Sequence, residues 1–292
     1  MTGSERALRR APSFLVLPAA GWFLWFFLIP LSIVIIYSLA TKGLYGGVVF
    51  HYSSDNYLRA TDWIYLRIFW NSLKLALLTT FSCLVIGYPM AYVMATASKS
   101  MRTLLLIAVV VPFWTNFVVR AYAIKLLLGA WGPINRLVMA LGILHEPIVF
   151  ANSDFSIWLG MVTNYLPFMV LPLYVALEKF DFSLLEAAKD LGASRFSILF
   201  KILMPLTRAG ILTGVLFVFT PALGEFVIPD LLGGAKTMLM GNLITEQFLK
   251  ARDWPFGSAL SLLLILTVVA SLLAYFKFGE ERSTSPKEAL KA

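Results

Sequence analysis

Ser183–Pro205 reads SLLEAAKDLGASRFSILFKILMP, a polar interruption set between two apolar runs. Its spacing predicts a short helix, a break and a second helix. Ser183 stands as N-cap with Glu186 three residues on as its reciprocal partner, the capping-box arrangement. Leu184, Ala187, Ala188 and Leu191 fall at i, i+3, i+4 and i+7 on one face, with Glu186, Lys189 and Asp190 around the other sides. Gly192 occupies the C′ position, where a left-handed backbone costs glycine least. A second amphipathic segment opens at Ser194, and Pro205 is expected to stop it because proline cannot donate to the helix ladder. A two-turn helix is not stable alone in water. Flanking spans, and a partner, must hold it.

The runs outside this stretch fix the class. Of 292 residues 59% are hydrophobic and 14% charged, with a mean hydropathy of +0.81. That leaves too little polar surface for a soluble globule. Six apolar runs, at about 14–39, 72–97, 103–128, 155–177, 209–232 and 256–276, predict an all-α integral membrane protein with six transmembrane helices. The first run follows Arg6, Arg9 and Arg10 but exceeds the roughly 7–15 residues of a signal-peptide core, so it is read as an uncleaved span. Six spans place both termini on one side. Most of the 24 Lys and Arg residues lie on that side, in the N-tail, the 98–102 turn, the 178–208 stretch and the C-tail, which makes it the cytoplasm. Tails of 1–12 and 278–292 then flank one membrane domain, 13–277. Polar segments 40–71, 129–154 and 233–255 fall outside.

Several chemistries are excluded. No Walker A sequence, no G-x-G-x-x-G and no Cys/His cluster is present, so neither nucleotide hydrolysis nor zinc binding is expected. Cys83 is the single cysteine, and His51 and His145 stand alone in outer segments. The net charge of +8 reflects basic flanks of membrane spans rather than a nucleic-acid surface. An intramembrane enzyme would need a nucleophile and a base converging within the bilayer. No His lies in a span, and the two span carboxylates share one helix. No catalytic residue and no metal ligand is therefore assigned.

Charge inside a span is costly and normally faces a cavity or a partner. Glu225 and Asp230 lie in TPALGEFVIPDLLGG, five residues apart and so roughly 140° apart on an ideal helix. Trp114, Asn116 and Tyr122 lie with Arg120 in VPFWTNFVVRAYAIK, and Asn164 and Tyr165 precede Pro167. These residues, Arg120 apart, are the candidate translocation path. The plainer reading is that Arg120 and Glu225 pair with each other or with a second subunit and serve helix packing.

Glu186-Ala187-Ala188, then Gly192, Ile202 and Pro205 resemble the EAA loop of ABC importer permeases, with Met204 where that pattern has Leu. WTNFVVRAYA, NYLPFMVLPLY, GEFVIPDLLGG and ARDWPFGSA resemble the permeases of spermidine/putrescine-type ABC importers, over about two-thirds of the chain from Tyr65 onward. That resemblance implies a type I ABC importer permease architecture with its core at about 65–277 and a cytoplasmic coupling loop at 178–208. Glu186, Ala187, Ala188, Asp190, Leu191 and Gly192 would form the coupling helix that fits a groove on the ATPase. It further implies an ATPase subunit dimer, a second homologous permease and a periplasmic substrate-binding protein in a bacterial inner membrane. ATP and Mg²⁺ would sit on the ATPase, with no cofactor in this chain. Polyamines are the implied substrate; another small solute such as an amino acid, an opine or a metal ion is the alternative.

Overall fold

The computed structural model describes residues 13–143, 146–147, 150–234 and 237–280. His145, the N-terminal tail 1–12 and residues 281–292 of the C-terminal tail lie outside the described residues, while the first three residues of that tail, 278–280, continue the last helix. The described chain is helical but for one two-stranded hairpin, and it divides into two compact units.

The first unit comprises residues 1–62 and 244–263. Helix α1 (Ser13–Ser38) contains Pro18 and Pro30 and leaves Trp22, Phe23, Trp25 and Phe26 exposed. At 1.5 Å per residue it is roughly 39 Å long, enough to cross a bilayer with an apolar surface facing lipid. Strands β1 (Thr41–Lys42) and β2 (Val48–Val49) pair antiparallel and lead to α2 (Asp55–Ala60). Side chains fasten this segment. Asn56 Nδ2 donates to the Ser38 and Ala40 carbonyls at 3.0 and 2.8 Å, and the Ser38 and Tyr57 hydroxyls are 2.7 Å apart. Arg59 meets the buried Asp253 carboxylate at 2.8 Å and lies 3.9 Å over the Phe256 ring.

The second unit comprises 63–243 and 264–292. Helix α3 (Trp63–Thr96) begins before the apolar run expected at 72, because Ile68 already lies on its buried face. That face is a stripe of small residues, including Ser72, Ala76, Thr79, Cys83, Gly87 and Ala91, at three- and four-residue spacing. Small side chains let helix backbones approach closely where lipid offers no hydrophobic drive. Helix α4 (Lys99–Val110) runs into a 3₁₀ turn (Val111–Trp114), and α5 (Phe117–Leu128) follows. Next come α6 (Pro133–Ala140) and α7 (Asp154–Glu178), the central element, against which α3 packs. Residues 183–206 form α8 (Ser183–Asp190), α9 (Arg195–Ile198), a π turn (Leu199–Leu203) and α10 (Met204–Leu206). Helix α11 (Arg208–Leu223) also lies on α7, where Gly210 and Gly214 leave space: a Cβ would stand 2.5 Å from Ala176 Cβ and 2.6 Å from Met169 Sδ. Then follow α12 (Val227–Leu232), α13 (Met240–Leu249) and α14 (Trp254–Glu280), the last two contributing residues to both units.

Among the described residues five helical segments are long and apolar enough to cross a membrane, one of them Phe117–Ala140, which takes in α5 and α6 and so reaches into the segment 129–154 that was expected outside; there are up to six when the bent pair Arg195–Leu206 and Arg208–Leu223 counts as one span. Two expected spans are interrupted. The third, read as continuous over 103–128, breaks at Thr115–Asn116. Pro112 removes a ladder donor there, and the Asn116 side chain caps α5 by accepting from the Val118 and Val119 amides. The fifth, read as 209–232, breaks at Gly224–Phe226. Segment 233–255, read as wholly outer, contains α13, whose first turn buries Met240, Gly241 and Leu243.

Candidate functional site

Two places carry the polar residues that the sequence singles out. The first is the segment 183–206, expected from the sequence to be a coupling loop. Helix α8 forms as expected, but its N-terminus does not. Phe182 is the capping position without a side-chain bond, and the Ser183 amide donates to Asp181 Oδ1 at 3.0 Å. Asp181, which the sequence reading passed over, supplies the acceptor because an ionised carboxylate is stronger than a hydroxyl. The Ser183 hydroxyl and amide in turn hold the Asp181 carboxyl below the usual carboxylate range. At the other end Gly192 adopts φ +79°, as its C′ placement requires. The Ala193 and Gly192 amides donate to the Ala188 and Lys189 carbonyls at 3.0 and 2.9 Å, a Schellman closure.

The four apolar positions that share one face of α8 do not share one environment. Leu185 and Ala188 enter the core, whereas Leu184 is exposed and Leu191 is 89% exposed. Apolar Leu184 and Leu191, with Ala187, therefore face outward, and Glu186 and Asp190 are exposed too. Phe196 and Phe200 continue the exposed apolar surface beyond Gly192. The periodicity was legible; which side met the core depended on tertiary packing. Pro205 does not end the second helix. The ladder widens to π spacing before it, and the axis turns by 74° only around Thr207. There the Thr207 hydroxyl donates to the Leu203 carbonyl at 2.7 Å and lies 2.9 Å from the Tyr88 hydroxyl.

The second place is the break between α11 and α12. Glu225, 7% exposed, turns its Oε1 onto the amides of Phe226, Val227 and Ile228 at 3.0, 2.9 and 3.2 Å. These are donors that a helix N-terminus leaves free. The Tyr165 hydroxyl donates to Oε2. The Gly241 backbone lies against the Gly224 and Glu225 carbonyls, where a Cβ would come within 2.5 and 2.6 Å of the two oxygens. Asn242 Nδ2 donates to the Phe226 carbonyl at 2.8 Å, and Asn164 Nδ2 to that of Gly160 at 2.7 Å. The Oδ1 atoms of Asn164 and Asn242 are buried and have no donor among the described residues. Asn242 went unnoticed in the sequence because its segment read as outer; a Gly-Asn pair within an apolar stretch is the signal that marks it.

The Arg120–Glu225 pair weighed from the sequence is not formed. Arg120 instead donates to the Pro112 and Thr115 carbonyls at 2.9 and 3.3 Å, closing the break in the third span. Asn116 caps the same break. The two breaks are linked through rings: Phe113 meets Phe168 edge-on at 5.1 Å, and Phe168 stands 6.3 Å from Tyr165. Trp114, 80% exposed, and Tyr122 point away from the core, and Asp230 is exposed. Glu225 and Tyr165 are thus brought together; Trp114, Tyr122 and Asp230 join no bonded group with them. Among the described residues no cluster of three or more His, Cys, Asp or Glu could hold a metal ion.

Residues 77–278 match the family described as binding-protein-dependent transport system inner membrane component. The chain is 43% identical over 257 residues to a spermidine/putrescine transport system permease protein of Haemophilus influenzae, covering 88% of this chain and 90% of that one. It is 41% identical over 263 residues to the corresponding Escherichia coli protein, covering 90% and 96%. Among solved structures, a bacterial ABC transporter that imports alginate shares the fold at a TM-score of 0.72 and 18% identity, covering 93% of this chain and 96% of that one. A methionine ABC transporter matches at 0.54 and 17% identity, over 74% of this chain and 94% of its own.

Proposed function

Because this chain belongs to the binding-protein-dependent transport system inner membrane components, we propose that it is the permease subunit of an ABC importer for spermidine and putrescine. The observation that carries the substrate is the 41–43% identity to spermidine/putrescine permeases over nearly the whole chain. The solved alginate importer, whose crystals hold a substrate-loaded periplasmic protein, supports the same assembly plan here. A separate ATPase dimer holds ATP and Mg²⁺, a second homologous permease completes the path, and a periplasmic protein delivers substrate. Residues 178–208 face the cytoplasm as the coupling loop of a permease domain spanning 13–277, with both termini on the same side.

The outward face of α8 suits this role. Leu184, Ala187 and Leu191 offer an apolar surface that the chain itself leaves open, rimmed by Glu186 and Asp190. Closure of the ATPase dimer on ATP moves α8, and the helices rock between outward and inward openings. Nucleotide drives this only through its different affinity for the two states. For a polyamine, the path needs acceptors that offset lost hydration without trapping the cation. Glu225, Asn164 Oδ1 and Asn242 Oδ1 supply acceptors, and Tyr165, Trp114 and Tyr122 supply aromatic faces. Glu225 is committed to the α12 amides in this conformation, so a passing ammonium competes with Tyr165 for Oε2.

Competition for uptake tests the substrate. Cells lacking other polyamine importers, and expressing this chain with its neighbouring subunits, should accumulate labelled spermidine and putrescine. Unlabelled polyamine in excess should abolish that signal, and amino acids or metal salts should leave it unchanged. Uptake suppressed by an amino acid and not by polyamine would overturn the assignment.

A further inference from the structure

We propose that Arg102 is a positioning residue that transmits movement of the coupling helix into the membrane spans. The proposal rests on the reading that α8 docks on an ATPase. Arg102 lies in the first turn of α4, on the short connection from α3. Its Nη1 donates to Glu178 Oε1 at 3.1 Å and its Nη2 to the Ala95 carbonyl at 3.1 Å. Glu178 is the last residue of α7, and the Tyr174 hydroxyl, one turn earlier, donates to the same Oε1 at 2.6 Å. One guanidinium thus ties the ends of α3 and α7 to the start of α4. Arg102 Nε is buried and has no acceptor among the described residues. A planar fork reaching two partners at once is a task lysine cannot perform, since its ammonium is a point charge on a flexible stem.

The location gives the bridge its role. Only residues 179–182 separate Glu178 from α8. Within that connection Phe182 meets the Tyr92 ring of α3 edge-on at 6.1 Å and Phe180 at 5.4 Å. Those apolar contacts, with Leu185 and Ala188, hold α8 to the bundle without fixing a direction. The Arg102–Glu178 bond is directional and sits where α8 leaves the bundle. Both side chains are partly exposed, at 32% and 43%, so the pair adds little to folding stability. A contact so placed and so weak in stability acts by direction. When α8 is displaced, α3 and α4 follow α7.

The test uses the assembled transporter in liposomes, with its ATPase and loaded binding protein. Uptake of spermidine and ATP hydrolysis are measured on the same vesicles. Arg102→Gln should leave ATPase association intact and hydrolysis within twofold, while spermidine moved per ATP falls by roughly fivefold or more, the lower end of ordinary coupling between sites. Arg102→Lys should recover part of the ratio. Tyr174→Phe, which removes one bond to Glu178 with little change of shape, should lower the ratio less and serves if Arg102→Gln reduces assembly. An unchanged ratio in both variants, or uptake and hydrolysis falling in proportion, overturns the proposal. Failure of the wild-type chain to retain any ATPase instead overturns the docking reading, and this proposal with it.

Discussion

At the scale of single residues, Glu225 decides most. Read from the sequence it is a carboxylate in a span beside two prolines; in the structure it caps α12 and holds Tyr165. Glu225→Gln keeps one acceptor but loses its charge, and hydrogen bonds to charged groups contribute about 1.5–3 kcal/mol. Reduced thermal stability and low uptake are expected. Adding Arg120→Gln should not restore uptake, because Arg120 serves the other break; recovery in the double variant would return the two residues to one ion pair. Asp181 gives a pH signature. Ser183 holds the Asp181 carboxyl below the usual carboxylate range, so its stabilisation of α8 is present above that range and fades as pH falls through the lowered value. The protection of the 184–190 amides relative to their intrinsic exchange should fall on acidification below that range, and Asp181→Ala should show the weaker protection already at neutral pH. The existence of these polar residues was legible in the sequence. Their partners were not, because a backbone amide at a helix break leaves no mark in residue type.

At the scale of elements, the small residues between helices set the packing. Gly214 faces Met169 with no room for a side chain, and a Cβ on Gly160 would come within 2.5 Å of Leu232 Cδ1. Gly214→Val should overpack the α7–α11 contact by about 1–3 kcal/mol and lower the detergent-solubilised melting temperature. Gly192 differs, since a Cβ there meets nothing and only its positive φ resists substitution. Gly192→Val should leave membrane insertion intact but weaken ATPase retention; full retention would remove the loop from the docking surface. Periodicity revealed α8, α7 and the apolar runs. It missed the breaks at Thr115 and Gly224, because a run of apolar residues reads as continuous whether or not its backbone ladder is. It did not say which side of α8 turns inward, since a helix apolar on more than one side does not reveal which side its own bundle takes.

For the whole molecule, all-helical membrane architecture followed from composition and run length, and the match to ABC importer permeases agrees with it. Topology adds a check: a reporter near Asn56 should be active outside the membrane and one after Lys291 inside. The central claim is that this chain carries substrate across the bilayer while another subunit hydrolyses ATP. Liposomes holding this chain with its partner permease and ATPase, given spermidine-loaded binding protein outside and ATP within, measure it most directly. Labelled spermidine should enter only when ATP and all subunits are present, and Glu186→Lys should abolish entry while leaving the permease inserted. Spermidine entry that persists without the ATPase, or with Glu186→Lys at the wild-type rate, would contradict the account.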